Sequence, residues 1–232
     1  MTLLSPQDAR TLRDRFRTEM QRPVQIWLYT QTLNCPTCPQ AEQIARELEQ
    51  LTDRIELHIK NPLIDPETPA DRPQWVPAFV IRTEQEDYGL RYYGLPAGFE
   101  FSVLVETILM VSRGTTFLEP PVVEKVRQLV IPLNIKVFVT PTCPYCPQMA
   151  FLAMELAFLR DNITAEVIEA EEFPELAMRY SVRGVPRTVV NDSLIVDGAV
   201  PPEMFIDQLL RHQEVEQPAQ PQQPEGGRII LP

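Results

Sequence analysis

The chain has 232 residues, 44% of them hydrophobic and 23% charged, and its formal net charge is −11. This length is near the point at which one core gives way to two, so we expect two domains of about 100 residues each. The acidic balance argues against nucleic acid or an anionic membrane as a partner. No apolar run reaches the ~20 residues of a membrane span, and the charged segment 1–19 is unlike a secretory signal, so we expect a cytoplasmic protein.

The first half of the chain predicts alternating helices and strands. Ser5 followed by Pro6 is typical of a helix start and predicts a helix over 8–20. Apolar residues at helical spacing predict a second helix over 41–51. The remaining predicted elements are strands over 24–29, 55–59 and 78–82, a further short strand, and a helix over 99–113.

The second half repeats this order. Its predicted elements are helices over 121–130, 149–159 and 202–212, and strands over 135–139, 165–168 and 188–190. The middle helix is apolar on almost every side, so we expect it to lie under a sheet and also against the other half or a second subunit. After residue 213, Gln, Pro and Glu dominate, and such a tail cannot bury enough surface to fold alone.

The repeat predicts two tandem units of an α/β fold, each with a central mixed β-sheet flanked by helices. We place the units at residues 1–116 and 117–213, followed by a flexible Gln/Pro-rich tail over 214–232. The natural boundary between the units lies in the segment that starts at Gly114.

All four cysteines lie in two copies of the motif Cys-Pro-x-Cys-Pro-Gln, each of which follows a predicted strand and opens a predicted helix. In thiol–disulfide exchange one thiolate attacks a disulfide, and a second thiol nearby resolves the mixed disulfide. The free amides and the dipole at a helix start stabilise the first thiolate. We therefore predict nucleophiles at Cys35 and Cys143 and resolving cysteines at Cys38 and Cys146.

The residues alone leave two other interpretations of the cysteines open. The pairs could be inert disulfides in a binding or chaperone module, or all four cysteines could bind zinc. Zinc would need the two pairs to converge, and a helix that starts at each pair is poor geometry for such a site. We therefore expect no metal site.

The CPTC and CPYC motifs, each followed by a Val-Pro dipeptide at nearly the same distance, resemble the thioredoxin/glutaredoxin fold. Two such units in tandem, with the segment 93–101 before the last helix of the first unit, are similar to the glutaredoxin-like protein disulfide oxidoreductases. This resemblance implies cis prolines beside the active-site disulfides, whose preceding residues bind an extended substrate. It assigns that role to Val76, Pro77, Val185 and Pro186.

The resemblance also implies the activity and the partners. We expect a protein disulfide oxidoreductase that acts on disulfide-containing proteins and receives electrons from an NADPH-dependent flavoprotein disulfide reductase. No cofactor is expected besides the redox-active disulfides Cys35–Cys38 and Cys143–Cys146. The alternative is an electron-transfer adaptor between a flavoprotein disulfide reductase and a peroxidase.

A carboxylate near the resolving cysteine could accept its proton, and Glu169 at the end of a predicted strand is the candidate for the second unit. The alternative is a solvated strand-end charge, because Glu171 and Glu172 follow closely. The first unit has Lys60 or Asn61 at the equivalent point. We therefore predict that the two sites differ and that the Cys143–Cys146 site is the more active.

Overall fold

The computed structural model describes residues 3–65 and 72–216. In these ranges the helices are α1 (Pro6–Glu19), α2 (Cys38–Glu49), α3 (Phe101–Arg113), α4 (Pro120–Val126), α5 (Cys146–Leu159), α6 (Pro174–Arg179) and α7 (Pro202–Glu216). The strands are β1 (Val24–Tyr29), β2 (Ile55–Lys60), β3 (Ala78–Arg82), β4 (Leu90–Tyr93), β5 (Leu133–Val139), β6 (Ile163–Glu169), β7 (Arg187–Val190) and β8 (Leu194–Asp197). A short 3-10 turn, Gly98–Glu100, precedes α3. No helix in the described ranges is long and apolar enough to cross a membrane.

The strands form one mixed sheet in the order β2-β1-β3-β4-β6-β5-β7-β8. Each unit supplies four strands with the same internal order, joined by one parallel and two antiparallel pairings. The units join where β4 pairs in parallel with β6, with Leu90 opposite Ala165 and Tyr93 opposite Ile168. The predicted fold class, two thioredoxin-like units of mixed sheet and helices, is confirmed, and the edge-to-edge junction adds to it.

Local signals in the sequence explain where the helices begin. The hydroxyl of Ser5 accepts a hydrogen bond from the amide of Asp8 over 3.1 Å and so caps α1, whose buried face carries Leu12 and Phe16. Helices α2 and α5 both have proline in their first turn, where a missing amide costs little.

The two faces of the sheet carry cores of different size. Side chains of α1, α2, α3, α4, α5 and α7 pack together in the larger core, on the face that also holds Val24, Ile26 and Leu28 of β1. The smaller core surrounds Tyr93 and Phe138 on the opposite face, and α6 contributes to it. The sequence did not predict α6.

Helix α5 is covered on two sides, as its apolar composition predicted. Nine of its 14 residues are buried, and it packs both on β5 and β6 of its own unit and on α3 of the first unit. The buried carboxylate of Glu155 on this helix accepts a hydrogen bond from the amide of Phe117 over 2.7 Å. This bond fixes the connection between the units to the second unit.

The predicted unit boundary at residues 116 and 117 falls in this connection, between α3 and α4, and it stays a prediction. The predicted tail begins too early, because α7 continues to Glu216 and so includes its first three residues. Its C-terminal turns are held to the core of the unit, with the side chain of Gln213 accepting a hydrogen bond from the amide of Val130 over 2.6 Å. The remaining tail, 217–232, lies outside the described residues.

Candidate redox sites

The fold places both cysteine pairs at the same end of the sheet, where β1 and β5 finish. Strands β1 and β5 run in the same direction and each leads into a Cys-x-x-Cys turn, after which α2 begins at Cys38 and α5 at Cys146. Both pairs are disulfide-bonded, with Cα atoms 5.4 and 5.5 Å apart. Three strands lie between β1 and β5, so the two strands that lead to the pairs are about 19 Å apart across the sheet. The two disulfides therefore do not exchange directly with each other in this arrangement.

Exposure distinguishes the two cysteines of each pair. Cys35 and Cys143 are each 8% exposed, whereas Cys38 is 3% exposed and Cys146 is completely buried. In the second pair, the amide of Cys146 donates a hydrogen bond to Sγ of Cys143 over 3.1 Å. Such a donor favours the thiolate after reduction. The geometry agrees with an attack by the first cysteine of each pair, and these roles stay predictions.

The Val-Pro dipeptides lie beside the cysteine pairs. Both the Val76–Pro77 and the Val185–Pro186 peptide bonds are cis, which confirms that implication of the resemblance. The carbonyl oxygen of Val185 is 3.7 Å from Sγ of Cys143, and Val76 lines the same cleft as Cys35. The substrate-binding role of the four residues stays a prediction.

The first pair opens into a cleft of about 890 Å³ that both units build. The first unit contributes apolar walls, including Leu63 and Trp75, and one cation, Arg72. The second unit contributes Glu171, Glu172 and Phe173, from the loop between β6 and α6. An extended polypeptide entering this cleft would therefore contact both units.

The second pair has a different surrounding surface. A cavity of about 680 Å³ beside Val185 and Pro186 is lined by Arg183 and Arg187, and Arg187 is held by an ion pair of 2.6 Å with Asp197. Tyr145, between the two cysteines, is 67% exposed. The cavity beside the second Val-Pro dipeptide thus holds two arginines and Asp197, whereas carboxylates of the other unit line the cleft of the first pair.

Glu169, the predicted proton acceptor, is a buried residue rather than a solvated one. It is 2% exposed, so the interpretation as a solvated strand-end charge is wrong. Its carboxylate accepts hydrogen bonds from the amides of Glu171 over 3.2 Å and Glu172 over 2.6 Å. Burial raises the pKa of Glu169 above its usual range. Its part in proton transfer stays a prediction.

The structure also shows a buried acid that the sequence reasoning missed. Glu100 is completely buried, and neither of its carboxyl oxygens has a hydrogen-bond partner among the described residues. Burial, followed by the charge of Glu169, raises the pKa of Glu100 to about 8. Glu100 belongs to the segment 93–101 that carries the family resemblance, but no residue pattern in that segment indicates that its carboxyl group is buried.

Glu100 belongs to the first unit, but the turn that carries it contacts the second unit just before the second cysteine pair. Its 3-10 turn packs against α5, and the amide of Phe99 donates a hydrogen bond to the carbonyl oxygen of Pro141 over 3.0 Å. Gly98 in this turn has φ of +57°, and a Cβ atom there would collide with the same carbonyl oxygen. The turn therefore brings an acid of the first unit to the entrance of the second Cys-x-x-Cys loop.

Lys60, which the sequence placed at the point equivalent to Glu169, has a different environment. Its Nζ lies 5.5 Å from the centre of the Trp27 ring, on the face of the sheet that carries the smaller core. Asn61 follows it, and its amide donates to the carboxylate of Asp65 over 2.6 Å. The two cysteine sites thus differ in their surrounding charges, and the difference in their activity stays a prediction.

Comparisons with known proteins agree with this architecture. The Thioredoxin domain family matches residues 133–211. The crystal structure of a protein disulfide oxidoreductase from Aeropyrum pernix is similar with a TM-score of 0.83 and 27% identity, covering 93% of this chain and 96% of that one. The N-terminal domain of the alkylhydroperoxide reductase AhpF from Enterococcus faecalis is similar with a TM-score of 0.80 and 19% identity, covering 89% and 99%.

Among curated proteins, the alkyl hydroperoxide reductase AhpF from Xanthomonas campestris pv. phaseoli is 26% identical over 166 residues, which are 72% of this chain and 30% of that protein. The chain thus spans less than a third of the length of this relative. The similarities confirm the predicted resemblance to tandem thioredoxin-fold protein disulfide oxidoreductases.

Proposed function

We propose that this protein is a protein disulfide oxidoreductase that exchanges dithiols and disulfides through both cysteine pairs, with the second pair the more active. The observation that carries the proposal is the repeated arrangement of a disulfide at a helix start, its first cysteine the more exposed, facing a cis Val-Pro dipeptide. An inert structural disulfide at Cys35 would not need to line an open cleft.

In the reductive direction, the thiolate of Cys143 attacks one sulfur of a substrate disulfide and releases the other substrate sulfur as a thiolate. Cys146 then loses its proton and attacks Sγ of Cys143. This step releases the second substrate thiolate and forms the Cys143–Cys146 disulfide. Two electrons pass to the substrate, and both come from the cysteine pair, so the reaction needs no further cofactor on this chain.

A buried thiol such as that of Cys146 needs a nearby proton acceptor before it can attack. Glu100 and Glu169 are buried carboxyl groups whose segments contact the chain just before Cys143, because Glu169 pairs with Val139 and the turn of Glu100 contacts Pro141. The pKa of each is raised. A carboxyl group with a pKa of about 8 can hold or release a proton near neutral pH. These acids, together with the hydrogen bond from the amide of Cys146 to Sγ of Cys143, favour the second pair as the faster site.

Reduction of insulin by dithiothreitol tests the proposal on the full chain. We expect Cys143→Ser to lose most of the activity and Cys35→Ser to lose the smaller part. The resolving variants Cys38→Ser and Cys146→Ser are matched controls, because they should trap a mixed disulfide with the substrate. Full activity of the double variant Cys35→Ser/Cys143→Ser would refute the proposal.

The proposed partners are disulfide-containing proteins and an NADPH-dependent flavoprotein disulfide reductase, in a reducing compartment such as the cytoplasm. Oxidised protein accumulates after each turnover and has to be reduced again, which is the reaction that a flavoprotein disulfide reductase supplies. Oxidation of NADPH in a coupled assay with such a reductase measures this step.

An electron-transfer adaptor is the second candidate function. It is favoured by the similarity to the alkyl hydroperoxide reductase AhpF, whose N-terminal domain has this fold. An adaptor would reduce insulin slowly but would exchange rapidly with one flavoprotein reductase and one peroxidase. Stopped-flow rates with insulin and with a peroxidase disulfide therefore distinguish the two functions.

A further inference from the structure

Glu172 of the second unit is built into the first cysteine site. Its Oε2 accepts a hydrogen bond from the hydroxyl of Thr37, which lies between the two cysteines of the first pair. Its Oε1 accepts a hydrogen bond from the amide of Leu95 over 2.6 Å, and its own amide donates to Glu169 over 2.6 Å. Two hydrogen bonds from the first unit thus fix this carboxylate beside the first Cys-x-x-Cys turn, and the third holds the backbone of Glu172 to Glu169.

Because Thr37 begins α2, its hydrogen bond to Glu172 places a negative charge at the start of that helix. Thr37 is the N-cap residue of α2, but its side chain makes no capping hydrogen bond to the helix and donates to Glu172 instead. The carboxylate consequently lies at the N-terminus of the same helix that is expected to stabilise the thiolate of Cys35. Two anions then share one helix end, and each disfavours the other.

The second site has no such arrangement among the described residues. Tyr145 occupies the position of Thr37, and its side chain is 67% exposed. The charged groups that line the first cleft are Arg72, Glu171 and Glu172, so acids outnumber cations there, and Glu169 lies directly behind Glu172.

We propose that Glu172 is a positioning residue of the first cysteine site. Through its carboxylate the second unit destabilises the thiolate of Cys35. The first pair is therefore the slower and the more strongly reducing of the two. Weakening the thiolate destabilises the reduced form, which shifts the equilibrium toward the disulfide. The inference rests on the proposed function only in so far as both pairs undergo dithiol–disulfide exchange.

The test uses the full chain that carries Cys143→Ser and Cys146→Ser, in which the first pair is the one that remains. After reduction, the pH dependence of Cys35 alkylation by iodoacetamide gives the pKa of its thiol, and equilibration with glutathione gives the potential of the pair. We expect Glu172→Gln to lower that pKa by about one unit. A pKa lower by one unit gives a tenfold larger thiolate fraction of Cys35 in mildly acidic solution. It also raises the reduction potential of the pair by about 30 mV.

Two further variants separate charge from structure. Glu172→Asp keeps the charge and should stay close to the parent protein, whereas Glu171→Gln removes an exposed carboxylate of the same cleft and should have less than a third of the effect. An unchanged pKa and potential in Glu172→Gln would overturn the inference. Equal shifts in the Gln and Asp variants would also overturn it, because they would show a structural effect.

A comparison without any change at Glu172 keeps the inference testable if Glu172→Gln does not fold. In the parent chain with only one pair intact at a time, Cys35 should have the higher pKa and its pair the lower potential. Equal values, or the reverse order, would contradict the inference. These readings do not depend on insulin reduction, so a failure of the proposed function would be recognised separately.

Discussion

Replacement of Glu100 by glutamine should make the free energy of unfolding fall less as the pH rises. The carboxyl group of Glu100 has a pKa of about 8 in the folded protein, compared with 4.5 in the unfolded chain. Because the folded pKa is the higher one, the protonated group contributes fully to stability below pH 4.5. That contribution is lost as pH rises from 4.5 to 8, at about 1.4 kcal/mol per pH unit. The total loss in the parent protein is about 5 kcal/mol at pH 9.

Urea unfolding of the full oxidised chain at pH 5, 7 and 9 measures this effect. Glu100→Gln cannot ionise, so its free energy of unfolding should exceed that of the parent by under about 1 kcal/mol at pH 5 and by several kcal/mol at pH 9. Glu84→Gln, at an exposed glutamate, is the matched control and should show no such trend. A difference between Glu100→Gln and the parent that is independent of pH would refute the reasoning.

Four other substitutions test backbone strain, burial and packing by urea unfolding. Gly98→Ala should lose about 2–3 kcal/mol of unfolding free energy because its Cβ meets the Pro141 carbonyl oxygen, whereas Gly198→Ala, with open space around it, should lose about 1 kcal/mol. Glu155→Gln should gain up to about 3 kcal/mol over the parent between pH 5 and pH 8, because burial raises the pKa of Glu155 to about 7. Phe16→Ala should lose about 3–5 kcal/mol through the cavity it leaves in the larger core.

The features that could be predicted from the sequence are those that local signals determine. Cysteine motifs placed between a strand pattern and a helix pattern predicted where α2 and α5 begin. The apolar surface of α5 predicted that it is covered twice, because a side chain such as Leu156 on any face of this helix must be buried somewhere. These inferences need only residues that are close in the chain.

The features that escaped prediction depend on how distant segments meet. Strand β4 has only four residues, and nothing in them indicates that their partner is β6. This pairing decides which carboxylates are buried at the junction. The sequence pointed to Glu169 because it ends a strand, and it could not point to Glu100 or Glu172, whose environments are completed by the other unit.

The way in which the units join explains why their sites differ. If the units met through the same edge, each would offer the other the same groups. Here the first unit uses β4, next to its antiparallel strand β3, and the second uses β6, next to its parallel strand β5. The loops after β4 and β6 therefore reach opposite sites: the turn with Glu100 lies at the second cysteine pair, and the loop with Glu172 lies at the first. A head-to-tail junction between two similar units is thus sufficient to produce one site with a protonatable acid and another with a carboxylate hydrogen-bonded to the active-site turn.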